Sequence, residues 1–288
     1  VEREDVLHPA RPGHALGLFR LEMRSRGDDE DVVGERGSVL EMDDVCLEFD
    51  VVDARLVEGN PFVELARRIV ESALKRGGGW LTAVEANTLL ATVGIATPLS
   101  HLVTTIDGAV EAAAMLGFPV AVKAVGAALL HKTEFKAIRL NLADKTAVRK
   151  AASELLLALG DRVEGLLIQR MVNDGAEMMV GALNDATFGH VIVCGSGGVL
   201  VDLLADSACR LQPVTDLDAK EMVNGLKGVR LLRGFRGAPK VDEAAFEETI
   251  LRISSLVTIC PEIQELDVNP LKVLPGGVAA LDVRVRVA

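Results

Sequence analysis

The sequence is poor in aromatic residues, with no Tyr, one Trp (Trp80) and 8 Phe, 3% of the chain. So few rings leave no stacking platform for single-stranded nucleic acid. Positive charge is also in deficit. Across 288 residues, 31 Lys and Arg stand against 42 Asp and Glu, a net charge of −11. A general nucleic-acid binder needs a basic footprint, so that class is excluded, while a single local phosphate site is not. Long apolar runs are missing too: no stretch of about 18 residues lacks a charge, and no membrane-spanning helix is expected. The opening Val1-Glu2-Arg3-Glu4-Asp5 has no apolar segment of the signal-peptide kind. The 4 cysteines, Cys46, Cys194, Cys209 and Cys260, are widely spaced and form no C-x-x-C pair. That spacing argues against a zinc site or disulfide scaffold and for a reducing cytoplasm.

What is present describes a folded protein. Hydrophobic residues make up 49% and charged residues 25%, the balance of a globular chain. The length gives a prior of about two domains. Residues 1–60 differ from the rest, with a charge run at Arg24–Asp31 and an acidic stretch at Glu41–Asp44. Val39–Val57 alternates loosely and is expected to form two or three short strands; no function attaches to it. Phe62, Leu65, Ile69 and Ala73 recur at helical spacing, so a helix is expected over Phe62–Arg76 behind an Asn60-Pro61 cap. Gly77-Gly78-Gly79 then reads as a linker. Thr82 and Glu85 form a capping-box pattern for a second helix.

From Leu99 onward strands and helices alternate. Helices are expected at Asp107–Leu116, Lys145–Leu159, Asp218–Leu226 and Asp242–Ile259. Strands are expected at Pro119–Val125, Ala137–Leu142, Gly165–Val172, Glu177–Leu183 and His190–Cys194. Glu265–Leu274 and Val278–Val287 read as a final hairpin. Strands joined directly to one another imply an α+β fold, not a doubly wound parallel sheet.

The hairpin carries the densest chemistry. Glu265, Asp267 and Asn269 share one strand face, and Asp282, Arg284 and Arg286 share the matching face of the return strand. A turn on Gly276-Gly277 would set Asn269 opposite Arg284 with Asp282 on the diagonal. A shift of two residues would keep the same face. Hard oxygen donors beside cations suit a Mg²⁺–phosphate complex; a solvated polar sheet face is the alternative. Lys123 interrupts the apolar run Val120–Val125, so it faces a cavity, a partner or solvent. His131-Lys132-Thr133-Glu134 offers a nucleophile beside a cation, or a plain polar loop. Gly195, Gly197 and Gly198 make a turn whose amides could cradle an anion, yet it matches neither the P-loop nor the Rossmann fingerprint. Gln169, Arg170, Met171 and Val172, at a strand end, could present backbone to an adenine edge, with Glu177 close behind.

Taken in order, these segments resemble one family. Leu81–Ala86, Gly94–Pro98, Gly117–Lys123, Leu130–Glu134, Phe188–Val191, Gly195–Leu204 and Glu265–Leu271 are similar to the ATP-grasp portion of NDP-forming, usually ADP-forming, acyl-CoA synthetases such as acetate–CoA ligase. The resemblance covers Trp80–Val287. It implies an ATP-grasp fold of two α+β subdomains over 80–288, a linker helix over 61–79 and an unassigned segment over 1–60. It implies that Lys123 contacts nucleotide phosphates, that Gln169–Val172 meet the adenine, and that Glu177 is an acidic nucleotide-site residue. It further implies that Asn269 and Asp282 ligate Mg²⁺, and that His131 is a phosphohistidine working with ATP or ADP. The partner so implied is a CoA-binding alpha-type subunit or fused domain, with neither nucleic acid nor membrane. Two other functions fit the same fold: a nucleotide-binding regulatory module without turnover, and a different ATP-grasp carboxylate ligase. The chain departs from the family pattern at Lys136-Ala137, where Gly-Gly is usual, at Arg170 and at Asp202, both commonly Glu.

Overall fold

In a computed structural model of the chain, the described residues are 17–21, 49–53, 60–126, 129, 137–198 and 206–288. The chain divides into two compact units, Val1–Glu58 and Gly59–Ala288. In the first, β1 (Gly17–Leu21) pairs antiparallel with β2 (Phe49–Asp53). Strand β2 falls in the alternating stretch expected from sequence, whereas β1 was not anticipated.

The second unit begins with α1 (Pro61–Lys75), capped by the Asn60 side chain and opened by Pro61 at its first turn. Its Ala66, Val70 and Ala73 enter the larger core. The glycines that follow do not form a free tether. Gly79–Trp80 is a short strand, β3, and a Cβ on Gly78 would come within 2.9 Å of the Val287 carbonyl oxygen. Helix α2 (Ala83–Thr92) starts on the Thr82–Glu85 capping box read from the sequence.

Next comes the smaller lobe: β4 (Ser100–Val103), α3 (Ile106–Leu116), β5 (Val120–Val125), β6 (Ile138–Leu142), α4 (Lys145–Leu159) and β7 (Gly165–Arg170). Its four strands run β4-β7-β5-β6. Thr105 and Asp144 cap the helices through their side chains. Ala109, Ala113, Val148 and Leu155 press against Val120, Val122, Leu166 and Ile168 to form a separate core.

The larger lobe contains β8 (Ala176–Asp185), β9 (Gly189–Ser196), β10 (Ser207–Leu211), α5 (Asp216–Gly225), α6 (Val229–Leu232) and α7 (Glu243–Ile259). It ends with β11 (Ile263–Leu274), β12 (Gly277–Ala280) and β13 (Val283–Val287). The sheet order is β10-β9-β8-β11-β13-β3, with β12 also on β11. Residues of α1, α2, α5 and α7 pack with this sheet in one hydrophobic core. The α+β expectation holds, and the helices expected from sequence appear within two residues of their expected ends. Strands β4 and β10, too short and irregular in polarity to show a period, were not anticipated.

Candidate functional site

The smaller sheet carries its helices on one face. Strand alternation turns Ala121, Lys123, Leu167 and Gln169 to the other face, where Lys123 sits opposite Leu167 and Ala121 opposite Gln169. All four are buried. Lys123 is 5% exposed, and its Nζ donates to the Leu281 carbonyl oxygen at 2.6 Å. Leu281 belongs to the larger lobe, between β12 and β13, so this lysine ties the smaller lobe directly to the larger one. An ammonium in an apolar strand is thereby matched with a strong acceptor, as burial demands.

In the larger lobe the hairpin register differs from the expected one by two residues. Pro275-Gly276 form the turn, Leu274 pairs with Gly277 and Asp267 pairs with Arg284. The shared face survives, because side chains alternate with period two. The partners change. Arg284 donates to Asp267 at 2.7 Å and its guanidinium lies 5.9 Å from the Trp80 ring centre. Arg286 and Glu265 are 3.7 Å apart. The carboxylates and guanidinium groups of the hairpin thus neutralise one another as cross-strand pairs.

Asn269 and Asp282 close this ladder. The Asn269 amide donates to the Asp282 carbonyl at 3.1 Å, and the Leu281 amide donates to the Pro270 carbonyl at 3.0 Å. Here the pairing of β11 with β8 shifts, between Val268 and Leu271. The irregularity interrupts that ladder at Asn269, which offers an amide oxygen, and Asp282 lies in the break between β12 and β13 opposite it. Among the described residues no group of three or more His, Cys, Asp and Glu could hold a metal ion. One amide and one carboxylate are hard donors that suit Mg²⁺, which keeps its other positions for water and phosphate.

The glycine turn reaches the same place. The Gly197 amide donates to the Glu177 carbonyl at 2.9 Å, and the Gly198 amide to Asn269 Oδ1 at 3.3 Å. A Cβ on Gly198 would fall 2.1 Å from Glu177 Oε2. Both amides therefore have protein acceptors, and the turn braces Glu177 and Asn269. Lys272, which the sequence reading passed over, sits opposite Glu177 with Nζ 3.3 Å from Oε1. Its signal was available: like Lys123, it interrupts an apolar strand.

Gln169–Val172 lie where the chain leaves one lobe for the other. Strand β7 ends at Arg170 in the smaller sheet, and β8 starts at Ala176 in the larger. The Arg170 amide donates to the Leu99 carbonyl at 3.0 Å and the Met171 amide to the Pro119 carbonyl at 3.2 Å. Gln169 is buried and the Arg170 side chain is exposed. The structure thus links Lys123, Glu177, Gly197, Gly198, Asn269 and Asp282 through one run of hydrogen bonds and strand neighbours, with Gln169–Val172 where the chain passes between the lobes. His131 and Asp202 lie outside the described residues.

Two α+β lobes joined in sequence, with a buried lysine of one bonded to the other beside an Asn/Asp pair, match the architecture of a two-lobed α+β ligand-binding domain. Comparison with known proteins narrows the class. Residues 72–287 match the ATP-grasp domain family. The chain is 32% identical to the beta subunit of acetate–CoA ligase [ADP-forming] II of Pyrococcus furiosus, over 77% of this chain and 97% of that one. It is 36% identical to acetate–CoA ligase [ADP-forming] I of Archaeoglobus fulgidus, over 77% of this chain and 33% of that one. It therefore spans about a third of the single-chain relative and almost all of the beta subunit. Among solved structures, acetyl-coenzyme A synthetase 1 of Ca. Korarchaeum cryptofilum, in complex with coenzyme A and Ca-AMPCP, superposes with a TM-score of 0.74. That match has 31% identity and covers 77% of this chain and 100% of that one. Another structure of the same synthetase, with Mg-AMPPCP, has a phosphohistidine segment pointing towards its nucleotide binding site. The chain belongs to the ATP-grasp family, in the group that includes the beta subunits of ADP-forming acetate–CoA ligases.

Among the described residues no helix is long and apolar enough to cross a membrane.

Proposed function

We propose that this chain is the nucleotide-binding, phosphoryl-transferring half of an ADP-forming acyl-CoA synthetase. The overall reaction is acyl-CoA + ADP + phosphate ⇌ carboxylic acid + CoA + ATP. The observation that carries this reading is the hydrogen bond from Lys123 to Leu281, which sets a buried ammonium on the residue preceding Asp282, whose own carbonyl accepts from the Asn269 backbone amide. In this reading 80–288 is the ATP-grasp domain and 61–79 leads into it. The partner is a CoA-binding alpha-type subunit or fused domain that holds the acyl group. The buried and exposed free thiols Cys194, Cys260 and Cys209 fit a cytoplasmic setting.

The residues divide the work. Gln169–Val172 present backbone to the adenine, and the apolar face of Ala121 and Leu167 packs beside it. Lys123 turns its ammonium from the Leu281 carbonyl to the phosphate oxygens. Asn269 Oδ1 has a second lone pair beyond the one used by Gly198, so with Asp282 it would hold the Mg²⁺ of the nucleotide complex. That ion, when bound, supplies charge neutralisation on the phosphates. His131 accepts a phosphoryl group from an acyl phosphate formed on the partner and passes it to ADP, regenerating the free imidazole.

The test is phosphorylation of the chain by γ-labelled ATP with Mg²⁺, beside His131→Ala. An acid-labile, base-stable label that disappears in the variant supports the relay. A label retained in the variant refutes it. Nucleotide binding without any label, even with a CoA-binding subunit added, would favour a regulatory module.

A further inference from the structure

We propose that Asp206 is a positioning residue for the metal end of the nucleotide site, acting through Ser196 and the Gly197–Gly198 turn on Asn269. This rests on the nucleotide-site reading above and extends it to a residue outside that site.

Asp206 and Ser196 are both buried, at 6% and 0% exposure. The Ser196 hydroxyl donates to Asp206 Oδ2 at 2.7 Å. The Gly228 amide donates to the same oxygen at 2.7 Å, and the Lys227 amide to Oδ1 at 2.7 Å. The Ser196 amide also donates to the Asp206 carbonyl at 3.0 Å. Burial alone would raise the carboxyl's pKa, but the hydroxyl and the two amides outweigh it and hold Asp206 below the usual carboxylate range. It is thus an ionised group clamped by three donors.

The clamp has no slack. A Cβ on Gly228 would lie 2.1 Å from Ser196 Oγ and 3.0 Å from Asp206 Oδ2. A Cβ on Gly195 would lie 2.5 Å from the Asp206 carbonyl oxygen. Ser196 is therefore fixed from both sides. The next residue, Gly197, is held by the Glu177 carbonyl, and the one after donates to Asn269 Oδ1. Two residues separate the clamp from the side chain that would meet the metal. A fold staple could sit anywhere on the sheet; this one holds the turn whose second glycine orients Asn269.

The experiment measures ADP binding by the full chain, with and without Mg²⁺, for the unaltered protein, Ser196→Ala and Asp206→Asn, with thermal melts of each. Ser196→Ala removes the hydroxyl contact to the carboxylate and leaves both amides on Asp206 and the backbone bond from residue 196 to its carbonyl. Asp206→Asn replaces one acceptor oxygen with a donor. If Asn269 is oriented through this link, Ser196→Ala weakens Mg²⁺-dependent ADP binding about three- to tenfold, the scale of one lost hydrogen bond. ADP binding without Mg²⁺ stays unchanged. Asp206→Asn, where it folds, shows the same selective loss. Equal weakening with and without Mg²⁺, or none in Ser196→Ala, overturns the proposal and leaves a fold staple. If the unaltered chain shows no Mg²⁺-dependent ADP binding, the nucleotide-site reading itself fails, and this inference with it.

Discussion

Lys123→Met tests the site at its centre. Methionine matches lysine in length and keeps the apolar stem packed, so the substitution removes little besides the ammonium. In the structure this group is buried and bonded to the Leu281 carbonyl at 2.6 Å. Two terms set the effect on stability. Losing the donor leaves Leu281 with a weakened acceptor contact, at about 1–3 kcal/mol if no water replaces it. Removing a buried cation returns a desolvation cost of the same order. The net shift in melting temperature is therefore small, within a few degrees at roughly 2–4 °C per kcal/mol. Binding has no such offset. A hydrogen bond to a charged group contributes about 1.5–3 kcal/mol, which corresponds to a roughly ten- to hundredfold rise in the Kd for Mg·ADP. Calorimetric titration and a thermal melt on the same sample separate the two. A Kd within twofold of the unaltered chain, with an unchanged melt, would refute the placement of Lys123 at the phosphates.

Two further outcomes follow from the geometry. Gly197→Ala should destabilise more than Gly198→Ala, because its Cβ meets the backbone of Met178 at 2.4–2.9 Å, whereas that of Gly198 meets the movable end of Glu177. Backbone overpacking sets the first at about 2–3 kcal/mol and the left-handed conformation of Gly198 (φ +63°) sets the second at about 1–2 kcal/mol; denaturant melts giving the reverse order would contradict this. Burial pushes the Cys194 and Cys260 thiols up to about 12, so neither carries appreciable thiolate at neutral pH, while Cys209 is exposed. Peptide mapping after brief alkylation at pH 7.5 should find Cys209 modified and the other two only after unfolding.

Much of the geometry around the candidate residues was legible in the sequence, for identifiable reasons. Lys123 stood out because a cation in an apolar strand needs a partner, though nothing local could show that the partner would be a carbonyl in the other lobe. The polar face of the hairpin followed from strand alternation, which survives a two-residue slip, so the wrong register still gave the right face. That slip mattered chemically. It moved Arg284 from opposite Asn269 to opposite Asp267, giving the pairs Asp267–Arg284 and Glu265–Arg286. The missed parts share a cause. Asp206 is a lone carboxylate held by the Ser196 hydroxyl ten residues away and by two backbone amides some twenty residues away; a single serine is no signal, and backbone donors leave no trace in residue type. Lys272 needed only the argument applied to Lys123. Strand β10 was hidden because its polar and apolar residues do not keep a clear period.

The pairing of β3 with β13 has a consequence for how such a domain travels. Trp80 lies opposite Arg286 and Gly79 opposite Val287, so the strands of this sheet that come first and last in chain order are neighbours at one edge. Incoming and outgoing chain meet there, away from the hinge at Gln169–Val172. A polypeptide arranged this way is a cassette: it can be joined to a larger chain or separated from it at a single seam without rerouting a strand between the lobes. The stretch this chain matches makes up 97% of one relative, a beta subunit, and 33% of another.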